Sequence, residues 1–512
     1  MWPTSYILRT DMKPEYFFFN IDFGQKLTGI ERSSFKRAIL FAEYLNIIPH
    51  FVTANLNLNL RKNWQHYQNI GWVPKESKLF NVYEDIMHIE RGNDLEPTQI
   101  AYDEYTLKEI SDTHQRFYKK NKNFNMYVVW KDETRLKIDY INYFFEGSKI
   151  RRDKFNIYGQ LAITQLLDAD GKILREDFFT PEGKLCLIKK YKPDYKLEKI
   201  YLYGQNGMLS DVFSKDEELV FYWCKKNIKE ESICIIDKNR AWINPLGSLR
   251  KERDFKLVSV VHSVHISAPY EDIYSNKLNS NYKDFLSGRV CIDACVVLTP
   301  QQTNDIEAKF NPKYKILNIP HANDNLIKKI EFSKRVKNKI ISLARFDDLK
   351  QIDHMIEIMS YVIKENSDIQ LYVYGEGKLR EDLERLIEEK NLGNNVFLPG
   401  YIEDIAKELN ESVLYLSTSK VEGFPLAFLE SMSYGVPIVS YDIKYGPKAI
   451  IKDGLNGLIV EKNNKKLMAE KIIKLIGNLN SLETLSNNAY LTALDYNMPS
   501  VAEIWKKELM RL

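Results

Sequence analysis

The order in which two hydrophobic patterns occur along the chain limits its fold most. Short continuous apolar runs followed by amphipathic stretches occupy residues 16–53 and return from about residue 232 onward. Between them, residues 126–188 carry short runs that alternate apolar and polar residues. Continuous runs are typical of buried parallel strands, whereas alternation is typical of antiparallel hairpins. The chain is therefore predicted to be an α/β protein with an inserted antiparallel β-rich domain.

The changes of pattern give the predicted domain boundaries. Residues 1–75 and 216–335 are predicted to form an N-terminal Rossmann-like domain, and residues 76–215 the domain inserted into it. A second βα alternation over residues 336–497 predicts a C-terminal Rossmann-like domain, and residues 498–512 predict a helix that returns to the N-terminal domain. Two such domains face a cleft, and open parallel sheets bind ligands at the carboxyl ends of their strands. Side chains that directly follow predicted strands are therefore the first candidates for a functional site.

The composition is that of an ordinary globular protein. The 512 residues include 73 Lys and Arg against 70 Asp and Glu, a net charge of +3, which argues against a protein that binds polyanions over its whole surface but leaves room for local basic patches. The five cysteines form no CxxC pair, so no zinc site is indicated, and their odd number fits a reducing compartment. The first residues lack a signal-peptide pattern, and residues 38–52 are too short and polar to cross a membrane. We therefore expect a cytoplasmic protein, either free or held peripherally at the inner face of the membrane.

Two cations follow the strand predicted at residues 339–343. Arg345 and Lys350 are five residues apart, which lets a turn direct both toward one point. Two fixed positive charges can hold a diphosphate and stabilise the charge that develops as it leaves. The alternative is a solvated charge pair beside Asp347 and Asp348, since charged residues mostly lie at the surface.

Two acids, Glu422 and Glu430, follow the strand predicted at residues 413–416. Gly423 permits a close backbone approach, and a helix predicted to begin near Pro425 exposes N–H groups that favour an anion. The spacing of just over two helical turns lets both carboxylates face one elongated ligand, and carboxylates accept hydrogen bonds from sugar or ribose hydroxyls. The alternative is an ordinary acid at a helix N-terminus together with a surface acid.

Two histidines, His262 and His265, follow the strand predicted at residues 257–261. A histidine at a strand end can donate to a hydroxyl or share the charge of an oxyanion. The HxxH spacing also occurs in metal sites, but no third Cys, His or acid completes a recognised ligand pattern. We therefore expect no metal site here, and a purely structural histidine is the alternative.

Three glycine-containing segments give weaker indications. The loop that ends in Thr28-Gly29 lacks both the GxGxxG and the P-loop patterns, so it is weak evidence for a phosphate site. Gly375 and Gly377 follow a predicted strand and either let the backbone approach a nucleotide or merely turn the chain. Residues 168–171 read Asp-Ala-Asp-Gly, which resembles a metal-binding triplet, but their position between strands indicates a hairpin turn.

The two cations and two acids, with the run that follows the first acid, resemble the retaining GT-B glycosyltransferases of family four. The resemblance covers both Rossmann-like halves and is most specific over residues 340–460. It implies that the two cations bind the donor diphosphate, that Glu422 contacts the transferred sugar and that Glu430 binds the nucleotide ribose. The C-terminal domain would then bind the nucleotide sugar and the N-terminal domain the acceptor.

The same resemblance implies further donor contacts. The backbone of Phe424, Pro425 and Leu426 would touch the donor. The strand-end histidine of the family matches His262, with His265 as the rival assignment. In the N-terminal loop, the usual Gly-Gly pair is reduced here to the Thr28-Gly29 noted above, so that contact departs from the family pattern.

A narrower resemblance is carried by the β-rich insertion together with residues 28–31, 261–265 and 441–446. These are similar to bacterial enzymes that glycosylate cell-surface polymers. One branch adds N-acetylglucosamine or glucose from a UDP-sugar to Ser/Thr hydroxyls of Ser-rich or Ser-Asp-repeat proteins, and we expect this branch. The other adds sugars to wall teichoic acid, a poly(ribitol phosphate) or poly(glycerol phosphate). In both branches the insertion serves acceptor binding or assembly.

The resemblance implies a UDP-sugar-dependent retaining hexosyltransferase that needs no metal and no other cofactor. Its expected partners are the UDP-sugar, the polymeric acceptor, and a second copy of the chain or a paralogous subunit, but no nucleic acid. Two rival classes remain. A transferase for small acceptors would share the donor half, but the large insertion counts against it. A lectin-like partner without catalysis would share the fold, but such proteins tend to lose the charged set that this chain keeps.

Overall fold

The computed structural model describes residues 14–101, 103–119, 123–323 and 331–512. The first thirteen residues, on which the signal-peptide prediction rests, lie outside these ranges. The described chain forms two compact units, one from the described part of Met1–Glu31 with Ile48–Leu257 and one from Arg32–Ile47 with Val258–Leu512. No helix within these ranges is both long and apolar enough to cross a membrane.

The chain opens with alternating strands and helices. The strands predicted from the aromatic run near residue 16 and from residues 50–53 are confirmed, and β1 pairs in parallel with β2 and β2 with β3. A short 3-10 helix follows at Ile89–Asp94. The elements are β1 (Tyr16–Asn20), α1 (Gly29–Leu45), β2 (His50–Thr53), α2 (Leu60–Asn69), β3 (Leu79–Asn81) and α3 (Val82–Met87).

The insertion is a single ten-stranded antiparallel sheet over residues 105–213, in which each strand pairs with the next along the chain. It begins later than the predicted residue 76, because β3 pairs with β2 in the parallel sheet. Apolar side chains of β5 (His114–Lys119) to β8 (Ser148–Phe155) form a core on one face of this sheet. The strands are β4 (Tyr105–Ser111), β5 (His114–Lys119), β6 (Phe124–Trp130), β7 (Ile138–Phe145), β8 (Ser148–Phe155), β9 (Leu161–Leu167), β10 (Ile173–Phe179), β11 (Leu185–Tyr191), β12 (Leu197–Tyr203) and β13 (Leu209–Phe213).

The Asp-Ala-Asp-Gly segment is the hairpin turn between β9 and β10, as predicted. The Asp168 carboxylate accepts hydrogen bonds from the backbone N–H groups of Asp170 and Lys172. Gly171 adopts a φ of 79°, which glycine reaches without steric cost. The first acid therefore stabilises the turn through its own backbone.

After the insertion the chain returns to an α/β pattern. Strand β14 pairs in parallel with β1, and β15, β16 and β17 are parallel neighbours in that order. Strands β14 and β16 are buried along their whole length, as expected when helices cover both faces of a parallel sheet. The elements are α4 (Asp216–Asn227), β14 (Ile233–Ile236), α5 (Asn239–Leu249), β15 (Lys256–Val261), α6 (Lys283–Leu286), β16 (Ala294–Val297), α7 (Pro300–Phe310) and β17 (Lys315–Asn318).

The C-terminal part contains a six-stranded parallel sheet with the order β20-β19-β18-β21-β22-β23. A short 3-10 helix, Phe332–Lys334, precedes it. The elements are β18 (Lys339–Leu343), α8 (Ile352–Glu365), β19 (Gln370–Tyr374), α9 (Arg380–Glu389), β20 (Val396–Gly400), α10 (Ala406–Glu411), β21 (Leu414–Ser417), α11 (Leu426–Ser433), β22 (Ile438–Tyr441), α12 (Gly446–Ile450), β23 (Gly457–Val460), α13 (Lys465–Ile476), α14 (Leu479–Asp495) and α15 (Met498–Leu509).

The last helix, α15, packs on the second half of α1. The ring of Trp505 lies 5.2 Å from the ring of Phe41, edge to face, and the Arg37 guanidinium lies over the same indole. The C-terminal helix predicted from residue 498 onward therefore contacts a helix from the start of the chain.

Candidate active site

The strand order of the C-terminal sheet brings two loops together. Strand β18 lies beside β21, so the loops that follow them leave the same edge of the sheet. The Thr418 hydroxyl donates to the backbone carbonyl of Gln351 at 2.7 Å, and the Lys420 N–H donates to the carbonyl of Leu349 at 2.8 Å. These bonds hold the loop with the two cations against the loop with the first acid.

The structure brings one cation and one acid of the predicted set into direct contact. Lys350 Nζ donates to Glu422 Oε1 at 2.5 Å, and their side chains are 27% and 13% exposed. Arg345 instead pairs with Asp347, and its side chain is 62% exposed. Within the described part of the chain, no hydrogen bond or ion pair joins Arg345 to Lys350. The two cations therefore follow the same strand but have separate carboxylate partners.

The second acid, Glu430, lies on α11, whereas Glu422 lies in the loop before it. Helix α11 begins at Leu426 with Pro425 as its cap, which confirms the predicted start. Only Glu430 is helical, so the two acids do not lie two turns apart on one helix, and the prediction from helical spacing is wrong.

The hydroxyl of Tyr415 contacts the last residue of β18. It donates to the carbonyl of Leu343 at 3.0 Å and accepts from the N–H of the same residue, at the end of β18. Burial raises the pKa of this phenol, and the charges of Glu422 and Glu430 raise it further. The charges of both acids therefore act on one phenol at the carboxyl end of β18.

In the segment from Phe424 to Leu426, the aromatic side chain is buried, which leaves the backbone as the part that can contact a ligand. The Phe424 ring is 6% exposed and contacts the rings of Tyr496 and His321 at 5.7 and 5.8 Å. The first N–H groups of α11 have no partner within the helix, as at any helix N-terminus. The geometry is thus compatible with the backbone contacts that the resemblance implies for Phe424, Pro425 and Leu426.

Gly423 is in close contact with the strand-end histidine His262. A Cβ atom on Gly423 would lie 2.2 Å from the carbonyl oxygen of His262, so this approach requires glycine. The His262 ring stacks on His321 at 5.4 Å, and the backbone N–H of His262 donates to the Tyr282 hydroxyl. Sequence reasoning missed His321, which lies three residues after the end of β17, whereas His262 directly follows β15.

The rival histidine, His265, is fully buried away from that contact. Its ring stacks on Tyr445 at 5.9 Å and meets Phe310 edge to face at 6.0 Å. Burial lowers the pKa of His265 to about 4, so the imidazole is neutral near pH 7. The structure therefore places His262, and not His265, beside the loop with the first acid.

Gly375 and Gly377 pack against the loop that carries Arg345. A Cβ atom on Gly375 would lie 1.9 Å from the carbonyl oxygen of Ala344, and one on Gly377 would lie 2.3 Å from that of Phe346. Gly375 also adopts a φ of 145°. The sequence left two roles open for these glycines, close approach to a nucleotide or turning of the chain. In the structure, both pack closely against the backbone of the loop that carries Arg345.

Thr28 and Gly29, in the first unit, form the start of α1. The backbone N–H of Thr28 donates to Glu31 Oε2 at 2.8 Å, the arrangement of a helix capping box. The other carboxylate oxygen of Glu31 accepts from Lys238 at 3.0 Å. This loop is a weaker candidate for a phosphate site, because the Glu31 carboxylate already accepts a hydrogen bond from the N–H of Thr28.

Residues 323–492 match the family model described as Glycosyl transferases group 1. The structure of TarM has a TM-score of 0.85 and 22% identity, covering 97% of this chain and 99% of that one. The pneumococcal O-GlcNAc transferase GtfA in complex with UDP and GlcNAc has a TM-score of 0.81 and 21% identity, with the same coverage. Similarity of this extent shows a shared fold.

Two curated relatives align with nearly the whole chain. The poly(glycerol-phosphate) alpha-glucosyltransferase of Bacillus subtilis (strain 168) is 25% identical over 511 residues, 96% of this chain and 74% of the relative. The poly(ribitol-phosphate) alpha-N-acetylglucosaminyltransferase of Staphylococcus aureus (strain COL) is 25% identical over 490 residues, 93% of this chain and 96% of the relative. The chain is a GT-B glycosyltransferase.

The matched family region contains most of the predicted donor site of this glycosyltransferase. Arg345, Lys350, Glu422 and Glu430 all lie within residues 323–492. The three histidines lie before it. Among the described residues, no group of three or more His, Cys, Asp or Glu side chains is arranged to hold a metal ion. Three of these four residues thus take part in two ion pairs, Arg345 with Asp347 and Lys350 with Glu422, and Glu430 is a further acid.

Proposed function

We propose that this glycosyltransferase moves a hexose from a UDP-sugar, with retention at the anomeric carbon, to hydroxyl groups of an anionic cell-surface polymer. The observation that carries the donor half of the proposal is the contact between Lys350 and Glu422. In a nucleotide sugar, the bond that breaks joins the sugar to a phosphate. A cation for the phosphate and a carboxylate for the sugar hydroxyls must therefore be adjacent, as these two side chains are.

The remaining residues divide the donor between them. Lys350 and Arg345 would neutralise the diphosphate as it leaves, which is the charge that develops in the transition state. Glu422 would accept hydrogen bonds from the sugar, and Glu430 from the ribose. The Arg345 side chain is 62% exposed, so it can turn from Asp347 toward a phosphate, and Asp347 then keeps the hydrogen bond that it accepts from the N–H of Leu349.

His262 completes the proposed site on the other side of the acid loop. Its backbone touches Gly423, next to Glu422, so its ring is held near the sugar end of the donor. A neutral or charged imidazole there can donate to a sugar hydroxyl. The acceptor hydroxyl would attack from the face that the diphosphate leaves, and a donor phosphate oxygen would take its proton. No side chain of the protein is then required as a base.

We also propose that the transfer needs no metal ion, because the two cations supply the positive charge. Activity should therefore survive EDTA, measured as UDP release with a saturating donor and acceptor. The control is the same assay after the chelator is removed by dialysis. Complete loss with EDTA and recovery with magnesium or manganese would contradict this mechanism.

For the acceptor, a basic face of the inserted sheet favours a phosphate polymer. We define the basic face by Arg116, Lys149, Arg152 and Lys154. Arg116 and Arg152 lie in one cross-strand row, and the two lysines lie on the same face by the strand register. Within the described part of the chain, none of the four forms an ion pair with a carboxylate.

The arginines of the basic face are held in place by aromatic rings. The Arg116 guanidinium lies 5.3 Å from the ring centres of both Tyr127 and Phe144. Arg152 lies 5.3 Å from the ring of Tyr140 and donates to Asn142 Oδ1 at 2.7 Å. Ordered guanidinium groups without carboxylate partners are suited to bind phosphates.

The charge balance of the insertion points the same way. Over residues 105–213, Lys and Arg outnumber Asp and Glu by 20 to 15. Burial, and then the charge of Arg152, lowers the pKa of Lys149 and of Lys154. Cations that crowd one another in this way gain from a bound anion. The names of the two curated relatives describe enzymes that act on poly(glycerol phosphate) and poly(ribitol phosphate), which supports the same acceptor class.

A Ser/Thr-rich protein is the second candidate acceptor. It was the acceptor that we expected from the sequence resemblance. It is supported by the similarity to the pneumococcal O-GlcNAc transferase over 97% of the chain. Labelled UDP-glucose and UDP-N-acetylglucosamine, each offered with a polyol-phosphate polymer and with a Ser-rich peptide, distinguish the two. We expect label in the polymer. Transfer to the peptide alone would select the second candidate, and transfer to neither with either donor would contradict the proposed function.

A further inference from the structure

The segment that follows β22 supports the backbone of Glu422 directly. The N–H of Tyr445 donates to the carbonyl of Glu422 at 3.1 Å, and the two residues pair as an isolated parallel bridge. A Cβ atom on Gly446 would lie 2.3 Å from Pro425 Cδ and 3.3 Å from Glu422 Cβ. The position of the Glu422 main chain therefore depends on where Tyr445 and Gly446 lie.

Tyr445 is itself fixed by its side chain. It is fully buried, its ring stacks on His265 at 5.9 Å with an interplanar angle of 19°, and its hydroxyl lies 3.3 Å from His265 Nδ1. Val264, Ile266 and Val421 complete an apolar cluster around it. A buried aromatic ring in such a cluster has a single well-defined position.

A second contact holds the same segment. Lys444 Nζ donates to Asp305 Oδ2 on α7 at 3.0 Å, and the two side chains are 26% and 15% exposed. His265 and Asp305 both precede the C-terminal sheet in the chain, as does His262, which touches Gly423. The loop with Glu422 thus lies between the backbone of His262 and the Lys444–Tyr445 segment, and the side chains of Asp305 and His265 hold that segment.

The stack between Tyr445 and His265 is insensitive to pH near neutrality. Burial lowers the pKa of His265 to about 4, and the charged groups that face it are Asp305, Lys309 and Lys444. An imidazole with this pKa carries no charge between about pH 6 and 9, so its contact with the phenol ring does not change there. The support of Glu422 is then a matter of packing.

We propose that Tyr445 is a positioning residue for Glu422, held by His265 and by the Lys444–Asp305 pair. The inference rests on the proposed role of Glu422 at the sugar. A displacement of a reacting group by about 1 Å costs up to about a hundredfold in rate, whereas the phosphate contacts that hold the nucleotide remain. Loss of the support therefore lowers kcat and leaves the affinity for UDP unchanged.

The test compares Tyr445→Ala with Tyr445→Phe. We expect a kcat reduced at least tenfold in the alanine variant, a Kd for UDP within about threefold of wild type by calorimetry, and a kcat within about twofold in the phenylalanine variant, which keeps the ring. A folded alanine variant with full kcat, or one whose UDP affinity falls as much as its kcat, would overturn the proposal.

Removing a buried ring opens a cavity, so a second variant covers the case in which Tyr445→Ala does not fold. Lys444→Met breaks the partly exposed ion pair with Asp305 and removes the ammonium group that lies 5.8 Å from the centre of the Tyr445 ring. We expect a kcat lower by about three- to tenfold with the UDP affinity unchanged, against Lys448→Met as the matched control, whose partner Asp442 lies on the same segment. An unchanged kcat in Lys444→Met would overturn the proposal.

The activity of a Glu422 variant distinguishes an error in the role of Tyr445 from an error in the proposed function. Glu422→Gln is the discriminating variant. If Glu422→Gln keeps full activity, the proposed role of Glu422 at the sugar is wrong. If Glu422→Gln is inactive while Tyr445→Ala is folded and fully active, only the positioning role of Tyr445 is wrong.

Discussion

Replacing Arg345 or Lys350 by alanine should lower turnover by about a hundredfold and leave the fold intact. Each cation is proposed to stabilise the diphosphate as it leaves, and one preorganised charge contact of this kind is worth about 3 kcal/mol in the transition state. The Arg345 side chain is 62% exposed, so its loss removes little packing. The measurement is kcat with saturating donor and acceptor, together with the melting temperature of each variant.

A neighbouring lysine serves as the control for these two variants. Lys378 is 69% exposed and pairs with Asp348, which lies in the same loop as Arg345. Lys378→Ala removes a similar exposed charge pair, and exposed pairs contribute little to stability. Its kcat should stay within about twofold of wild type. Turnover near wild type in both Arg345→Ala and Lys350→Ala would contradict the assignment of the donor phosphates.

Neutralising the basic face should weaken the use of a polymeric acceptor without affecting the donor. In the double variant Arg116→Gln/Arg152→Gln, we expect the KM for a polyol-phosphate polymer to rise about tenfold or more at low salt. Each lost phosphate contact should also make the dependence of the KM on salt shallower, since fewer counterions are released on binding. Hydrolysis of the UDP-sugar without acceptor should be unchanged, because these arginines belong to the first unit and the donor residues to the second.

Lys196 provides the matched control in the same sheet. It is 80% exposed, pairs with Asp194 in the hairpin between β11 and β12, and does not belong to the basic face. Lys196→Gln should leave both the KM for the polymer and its salt dependence unchanged. If the double variant keeps the wild-type KM at low salt, the basic face does not bind the acceptor.

Secondary structure was predicted best where the local sequence alone determines it. Strands β2 and β18 begin and end at the predicted residues, because each starts with a polar residue that precedes a short apolar run. Strand β8 was not predicted, because its sequence Ser-Lys-Ile-Arg-Arg-Asp-Lys-Phe is charged on both faces. It is a strand because β7 and β9 pair with both of its edges, and this information lies outside the segment.

The sequence at Thr28 contained the pattern of a helix capping box, but the loop was interpreted as a weak phosphate site. A helix N-terminus attracts negative charge, which comes either from a bound phosphate or from an acid of the chain. The loop was considered as a weak phosphate site, while Glu31, three residues after Thr28, completes a capping box. His321 was missed for a related reason, since the strand before it is short and ends in a polar asparagine.

The sequence by itself determined which side chains follow buried strands, because apolar runs and the residues after them are local features. Arg345, Lys350, Glu422 and Glu430 were all found in this way. Only the tertiary structure decided which of them meet. Lys350 and Glu422 are 72 residues apart, and they touch because β21 inserts beside β18 in the sheet. The choice between His262 and His265 was also left to packing, since both follow the same strand and the contact of His262 with Gly423 separates them.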